Sequence, residues 1–530
     1  MIDTAGISTL MRLIVRRDRW LLCVWVLVGS LIPVTLAAGD GSAYTTEAAR
    51  RVFAESAMAN SAEVAMRGLV YGPSLGALAA WSAGSISLFI AVVSVLMTLR
   101  HTRADEQAGR RELVAAGVVG RDAPLLAAVG VVVLVNIVMA ALGALFVILY
   151  GLPATGSIVF AGSLLFVGVT GTVVAAIAAQ VVQNPGTARG VAFIGLAVLF
   201  AVRALGDVNR SWVSWLSPLG WARFTRAYEG DRWWVFGLFV GFAVAGLIVA
   251  VVLSGRRDVG AGLVAPRLGP AEASPGLRSV WALGWRLQRG SLITWTVTMA
   301  AGGLLIGGAS RTIGTQMDSP QLKEVMKRVG STSDPVLLLF AAVLAIIAEV
   351  IAAYAITAAM RLRNDELTGL AGSLLATPVS RWAWSASTLL WAFVGPAIAL
   401  AVLGATTGLA YGSAGGGTVA GSVRSLTVGT LTYLPAVWTF AGLVVLMTGM
   451  AARAAAVLTW TVFGLGFVVG ILAEFKLVTG APLDLSPFAA APNVLVGESS
   501  PATWMLWTLI ALAMTALGLL TLRRRDLAAG

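Results

Sequence analysis

Long apolar runs alternate with short charged segments along the whole chain. Crossing a hydrocarbon core of ~30 Å takes roughly 20 residues of helix. Twelve runs fit that role: Trp20–Ala38, Ser82–Leu99, Pro124–Tyr150, Ser157–Ala179, Gly190–Val202, Trp233–Leu253, Ser291–Ser310, Pro335–Met360, Trp384–Tyr411, Ser425–Met450, Ala454–Leu472 and Thr503–Leu522. The fifth is short and is expected to extend. Lipid offers no partner for backbone polar groups, so the runs are helices. The pattern predicts an all-α polytopic membrane protein. The first run resembles a signal peptide, with a basic flank and small residues at Ala37–Ala38. It has a counterpart in mid-chain, where no signal peptide acts, so it is read as a helix.

A second periodicity precedes the first run. Ile7, Leu10, Met11, Ile14 and Val15 follow helical spacing, which predicts an amphipathic helix on the membrane face with Arg12, Arg16 and Arg19 toward water. Shifted by 270 residues, Leu277, Val280, Trp281, Gly284 and Trp285 take the same places, and Arg286 and Arg289 match Arg16 and Arg19. Three more landmarks repeat in the same order. The segment RADEQAGRRELVAAGVVGR from Arg103 to Arg121 aligns without a gap with RNDELTGLAGSLLATPVSR from Arg363 to Arg381. Leu216-Ser217-Pro218 matches Leu485-Ser486-Pro487, and RRDVGAG at Arg256–Gly262 matches RRDLAAG at Arg524–Gly530. Such ordered self-similarity marks a duplication. Two six-helix halves in parallel orientation are expected, at 1–262 and 277–530, joined by a proline-rich cytoplasmic linker at 263–276.

Composition narrows the reading. Only 12 % of residues are charged and 58 % are hydrophobic, about half the charge density of a soluble domain. One cysteine (Cys23) and one histidine (His101) exclude an internal disulfide and a metal cluster built from those residues. The net charge of +12 invites a nucleic-acid reading. With the N-terminus inside, however, cytoplasmic segments hold 23 Lys+Arg against 11 Asp+Glu, and outer segments 14 against 13. That is the positive-inside signature, and no nucleic acid is needed to explain it. Both termini are expected in the cytoplasm of a bacterial plasma-membrane protein.

The paired segments after the second span of each half are the leading functional candidates: Arg103, Asp105, Glu106, Gly109 and Arg121, and Arg363, Asp365, Glu366, Gly369 and Arg381. Each has a charged head, a glycine that allows a sharp turn, and a mostly apolar stretch. This design suits a short helix docking in a groove of a cytosolic partner, with Asp-Glu and Arg hydrogen-bonding to that partner. A solvated topogenic loop has little reason to recur in register. The copies differ, with Arg110, Arg111 and Glu112 in the first where the second has Leu370, Ala371 and Gly372, so the docking surfaces are not equivalent. No phosphate-binding loop lies in the chain, because none of its three lysines (Lys323, Lys327, Lys476) sits in G-x-x-x-x-G-K-[ST].

Residues Ala43–Trp81 predict a helical stretch outside the membrane. Between the fifth and sixth spans, Trp212, Trp215, Trp221, Trp233 and Trp234 suit the headgroup layer. Pro218 and Gly220 are expected to break a helix there and give a re-entrant hairpin, either an anchor or a lid on an exit path. Glu349, in mid-span, is a candidate for substrate or proton contact, or for bonding a neighbouring helix. Asn136 lies on the same possible path but reads more simply as interhelical glue.

The amphipathic helix, the R-x-D-E-x-x-G segment, the L-S-P turn and the R-R-D-[VL]-x-A-G ending together resemble the ABC-2-type exporter permeases of actinobacteria. The similar group is the fused twelve-span form that exports tetronasin-type polyketides and multiple drugs. The resemblance covers nearly the whole chain and implies a type V exporter-like fold of two pseudo-symmetric six-helix halves. It implies two copies of a separate cytosolic ABC ATPase that carry the ATP and Mg, with no catalytic residue, cofactor or metal in this chain. The paired segments would be coupling helices, and the helices bearing Arg16, Arg19, Arg286 and Arg289 would be connecting helices. Leu216, Pro218, Leu485 and Pro487 would lie near the outer gate, and substrates would be hydrophobic small molecules such as amphiphilic drugs or ionophores. The alternative is a proton-coupled multidrug antiporter, which also has twelve spans in two parallel halves. A lipid-sugar transferase would need paired external carboxylates, and Asp40, Glu47, Glu55 and Glu63 are not adjacent.

Overall fold

A computed structural model describes residues 4–110, 112, 117, 119–258, 260–265, 271–308, 310, 335–474, 486–492, 494–496 and 500–524. The linker residues 266–270, Leu485, the three lysines and most of the closing RRDLAAG lie outside the described residues. The chain divides into two compact units, Met1–Gly269 and Pro270–Gly530. Among the described residues the secondary structure is helical, save one isolated bridge between Val182 and Val264. Among the described residues eleven helical segments are long and apolar enough to cross a membrane, Val419–Ala451 counted as one, and the apolar stretch Ala455–Phe467 is shorter.

In the first unit α1 (Ile7–Ala43) is followed by short helices α2 (Glu47–Ala59) and α3 (Ser61–Arg67), so the stretch between the first two spans is helical as expected. Then come α4 (Leu75–Leu99), α5 (Ala123–Leu149), α6 (Ala154–Val181), α7 (Pro185–Val208), α8 (Pro218–Phe224) and α9 (Val235–Gly255). The amphipathic segment and the first span form one helix rather than two. A kink at Asp18 (φ −108°, ψ 17°) marks the expected joint, with Arg12, Arg16 and Arg19 exposed before and after it. The short fifth run extends at both ends because Asn184 caps the helix and Pro185 occupies its first position.

The second unit holds α10 (Val280–Gly308), α11 (Pro335–Leu367), α12 (Leu370–Leu375), α13 (Arg381–Ser413), α14 (Val419–Leu431), α15 (Leu434–Ala451), α16 (Ala455–Glu474) and α17 (Pro501–Arg524). Here the segment bearing Arg286 and Arg289 runs unbroken into its span, and both arginines are exposed. The tenth run is two helices, broken where Pro435 opens α15.

Each unit pairs its helices in the same order. In the first, α1 packs on α5, α4 on α6, and α6 on α9; in the second, α10 packs on α13, α11 on α15, and α15 on α17. Small residues permit the approach: a side chain on Gly171 would strike the Ala91 backbone, and one on Gly442 would come within 2.7 Å of the Ala511 carbonyl.

One local expectation fails. Pro218 and Gly220 do not break a helix: Ser217 caps α8, Pro218 is its first residue, and Gly220 lies inside it. Proline is tolerated at a first helical position because its missing N–H would be unpaired anyway. Gly220 is bare because the Ser214 carbonyl lies against it.

Candidate functional site

The first paired segment begins where α4 widens into a π-helical turn, Arg100–Ala104, and closes with Asp105–Gln107. The wider turn departs from the α-helical bonding of the span, a device common at functional sites. Beyond it Gly109 adopts φ +70°, and in the second unit Gly369 adopts φ +77° ahead of α12. Both glycines redirect the chain through the left-handed region, which side chains disfavour.

The charged head of the first segment turns inward. The Arg103 side chain is 1 % exposed and that of Glu106 5 %. Arg103 donates to Glu106 Oε2 at 3.1 Å, to the Ala261 carbonyl at 2.9 Å, and to the Ala179 carbonyl. Arg257 donates to both oxygens of Glu106, at 2.9 and 3.2 Å, and to Gln180 Oε1 at 2.7 Å. The Gly260 amide adds 2.7 Å to Glu106 Oε1. Arg103 and Glu106 therefore spend these hydrogen bonds inside the unit, whereas the sequence pattern pointed them toward a partner. Buried charges persist where pairing and hydrogen bonds are complete.

Asp105 faces a second set. Arg17 reaches it at 3.0 Å and Arg110 at 2.6 Å. Arg100 forms a two-pronged pair with Asp18 at 2.8 and 3.0 Å, beside the kink in α1. Arg17 also contacts His101 Nδ1 at 2.8 Å. A guanidinium only donates, so Nδ1 accepts, and the His101 proton sits on Nε2. A cleft of about 120 Å³ opens between the apolar residues Leu10, Leu13 and Ile14 of α1 and this charged wall.

The second unit keeps part of this arrangement. Arg363 donates to the carbonyls of Ala452 and, at 3.2 Å, Arg453. Asp365 and Glu366 are buried, with Arg361 3.7 Å from Asp365. Arg381 donates to the carbonyls of Leu522 and Arg523 at the end of α17, as Arg121 does to Ser254, Gly255 and Arg257 after α9. A cation there meets the negative end of the helix dipole. The Asp18–Arg100 pair is not repeated: Gln288 and Met360 hold those positions, and Gln288 bonds the Thr388 carbonyl at 2.8 Å. Exposed residues of the paired segments include Gln107, Ala108, Arg110 and Glu112 in the first, and Thr368, Gly369, Leu370, Gly372 and Ser373 in the second.

The other candidates lie elsewhere. Asn136 is fully buried and bonds Val132 O at 2.8 Å and Ser94 Oγ at 3.1 Å, joining α5 to α4. Glu349 is buried within α11. Leu216 is exposed, Pro218 buried and Pro487 half-buried. Next to them is a group the sequence did not single out. Asp207 accepts from Ser214 Oγ at 2.7 Å, and Arg203 lies 3.7 Å from it while bonding the Met66 carbonyl at 3.0 Å. Tyr228 inserts its ring against Gly76 and Gly156 and bonds Ser157 Oγ at 2.9 Å. Sequence reasoning also passes over Arg17, Asp18, Gln180 and Arg257. The one visible signal is the recurrent R-R-D, which reads as a landmark only.

Among the described residues no group of three or more His, Cys, Asp or Glu is placed to hold a metal ion. Eleven apolar helical segments among the described residues, close small-residue packing and buried charge clusters at helix ends define a multi-pass membrane protein. Comparison with known proteins makes this specific. Residues 277–523 match the family model described as the C-terminal domain of multidrug efflux system permease Rv1217c. The whole chain is similar to the multidrug efflux system permease protein Rv1217c of Mycobacterium tuberculosis, at 39 % identity over 98 % of this chain and 95 % of that protein. The chain belongs to this permease family.

Proposed function

We propose that this protein is the membrane permease of an ATP-binding-cassette exporter of the ABC-2 type, moving amphiphilic drugs or ionophores out of the cell. The two units are six-helix halves of a twelve-span protein, with α16 as the eleventh span and both termini in the cytoplasm. Energy comes from two copies of a separate cytosolic ATPase, which hold the ATP and Mg.

One observation carries the reading. Each unit has a charged head fastened inward by buried arginine or carboxylate groups, then a left-handed glycine, then exposed residues, Arg110 and Glu112 in the first and Leu370, Gly372 and Ser373 in the second. A rigid root with a solvent-facing tip is what a docking lever requires. The multidrug efflux name of the Mycobacterium tuberculosis relative supports the substrate class.

The test targets the exposed tips. Arg110→Glu with Leu370→Asp should lower substrate-stimulated ATP hydrolysis in membranes at least tenfold, with insertion intact, and the purified wild-type complex should hold two ATPase copies per permease. Drug movement by the purified chain with only a proton gradient present would establish the antiporter instead.

A further inference from the structure

The segment after α9, from Arg256 to Val264, is no part of the docking lever itself, yet its described residues join the ends of α4, α6 and α9. Arg257 grips Glu106 in the segment after α4 and Gln180 at the end of α6. The Ala261 carbonyl accepts from both Arg103 and Arg257, at 2.9 and 3.0 Å. Leu263 and Val264 then donate to the carbonyls of Gln180 and Val181, at 3.1 and 2.9 Å, laying the chain along the end of α6. Behind this, Arg121 at the foot of α5 holds the last carbonyls of α9.

The composition of the segment follows from this path. Gly260 takes φ +82° and points its amide at Glu106, a conformation that a side chain would strain. Gly262 lies against the Val182 backbone, where an added carbon would come within 2.7 Å of its carbonyl carbon. Both glycines of R-R-D-V-G-A-G thus serve the strap, and Arg257, with its side chain 5 % exposed, is its centre.

We propose that residues 256–264 are a transmission strap, through which the coupling segment, the ends of α4 and α6 and the tail of α9 move as one body. Arg257 is its positioning residue: it touches no substrate and carries the displacement of the lever to the spans. Its fork spreads over both Glu106 oxygens, Gln180 Oε1 and the Ala261 carbonyl, so a point charge does not replace it. The proposal rests on the reading of the chain as an ATP-coupled permease.

The experiment uses inverted vesicles containing the full chain and its ATPase. Vanadate-sensitive phosphate release is measured together with ATP-driven ethidium uptake. Arg257→Gln removes the fork and its charge; Arg257→Lys keeps the charge, so it folds if charge balance alone is needed. In both variants ethidium moved per ATP should fall roughly 5- to 150-fold, the range of ordinary coupling free energies, whatever hydrolysis remains. An unchanged ratio of ethidium to ATP in Arg257→Lys, whether total activity is normal or reduced, would overturn the strap as a transmission element. Absence of ATP-driven uptake in the wild type would instead defeat the underlying reading, so the two failures are distinct.

Discussion

At the scale of single residues, Tyr228 is the most consequential side chain that the sequence did not flag. It sits at φ +65°, in a loop where Arg226 and Asp231 are also left-handed, at 47° and 34°. Such backbone costs of order 1 kcal/mol or more per residue and persists only where packing over-determines it. The ring seated against Gly76 and Gly156, with the hydroxyl on Ser157, supplies that packing. Tyr228→Ala should lower stability by about 3–5 kcal/mol, and Tyr228→Phe by about 1 kcal/mol, both read from thermal unfolding in detergent. Burial pushes the Tyr228 hydroxyl up to about 12. Its contribution to stability is therefore complete below the ordinary tyrosine range near 10 and is lost as pH rises toward 12. Unfolding midpoints of wild type and Tyr228→Phe should converge over that interval. Asp18 offers a second test. Its side chain is buried, while Arg100 is half exposed. Asp18→Ala should cost about 1–3 kcal/mol, because the buried Nε2–H of neutral His101 loses its nearest carboxylate, 3.6 Å away, while Arg17 keeps Asp105 and Arg100 turns to water.

At the scale of elements, the turns at Gly109 and Gly369 set the direction of each lever. Gly369→Ala should cost about 1 kcal/mol from the left-handed backbone alone and turn α12 away from its seat. Gly369→Asn, which tolerates that conformation, should retain more ATPase stimulation than Gly369→Ala in membranes. The turn was legible in the sequence, because a glycine that recurs in register within a charged segment is there for its backbone freedom. Eleven of the twelve expected spans were legible too, since hydropathy alone marks them. The inward orientation of Arg103 and Glu106 was not. Local spacing places Arg103, Asp105 and Glu106 together, but their acceptors lie at Ala179, Gln180 and the tail near Ala261, and no periodicity links those positions. Pro218 misled for a related reason: a proline breaks a helix it interrupts and begins one it precedes, and only Ser217, read as a cap, separates the cases.

At the scale of the whole molecule, topology is the property most directly open to measurement. Cys23 is the one cysteine of the chain, so Cys23→Ser gives a background for single-site labelling. Val52 in α2 and Leu370 in α12 are both exposed and lie on opposite sides in the proposed arrangement. A membrane-impermeant thiol reagent added to intact cells should label Val52→Cys and leave Leu370→Cys unmodified until the cells are opened. Labelling of both positions in intact cells would contradict that topology.

The charged joint at Asp18 and Arg100, with Gln288 and Met360 at the matching positions of the second unit, has a consequence for ancestry if the units descend from one duplicated segment. A gene that doubles begins with interchangeable parts, and each part can then specialise. Here one unit carries a charged pair at the kink of its first helix and the other does not. Expressed as separate polypeptides, the halves should therefore restore drug tolerance only as an unlike pair, and neither should work with a second copy of itself.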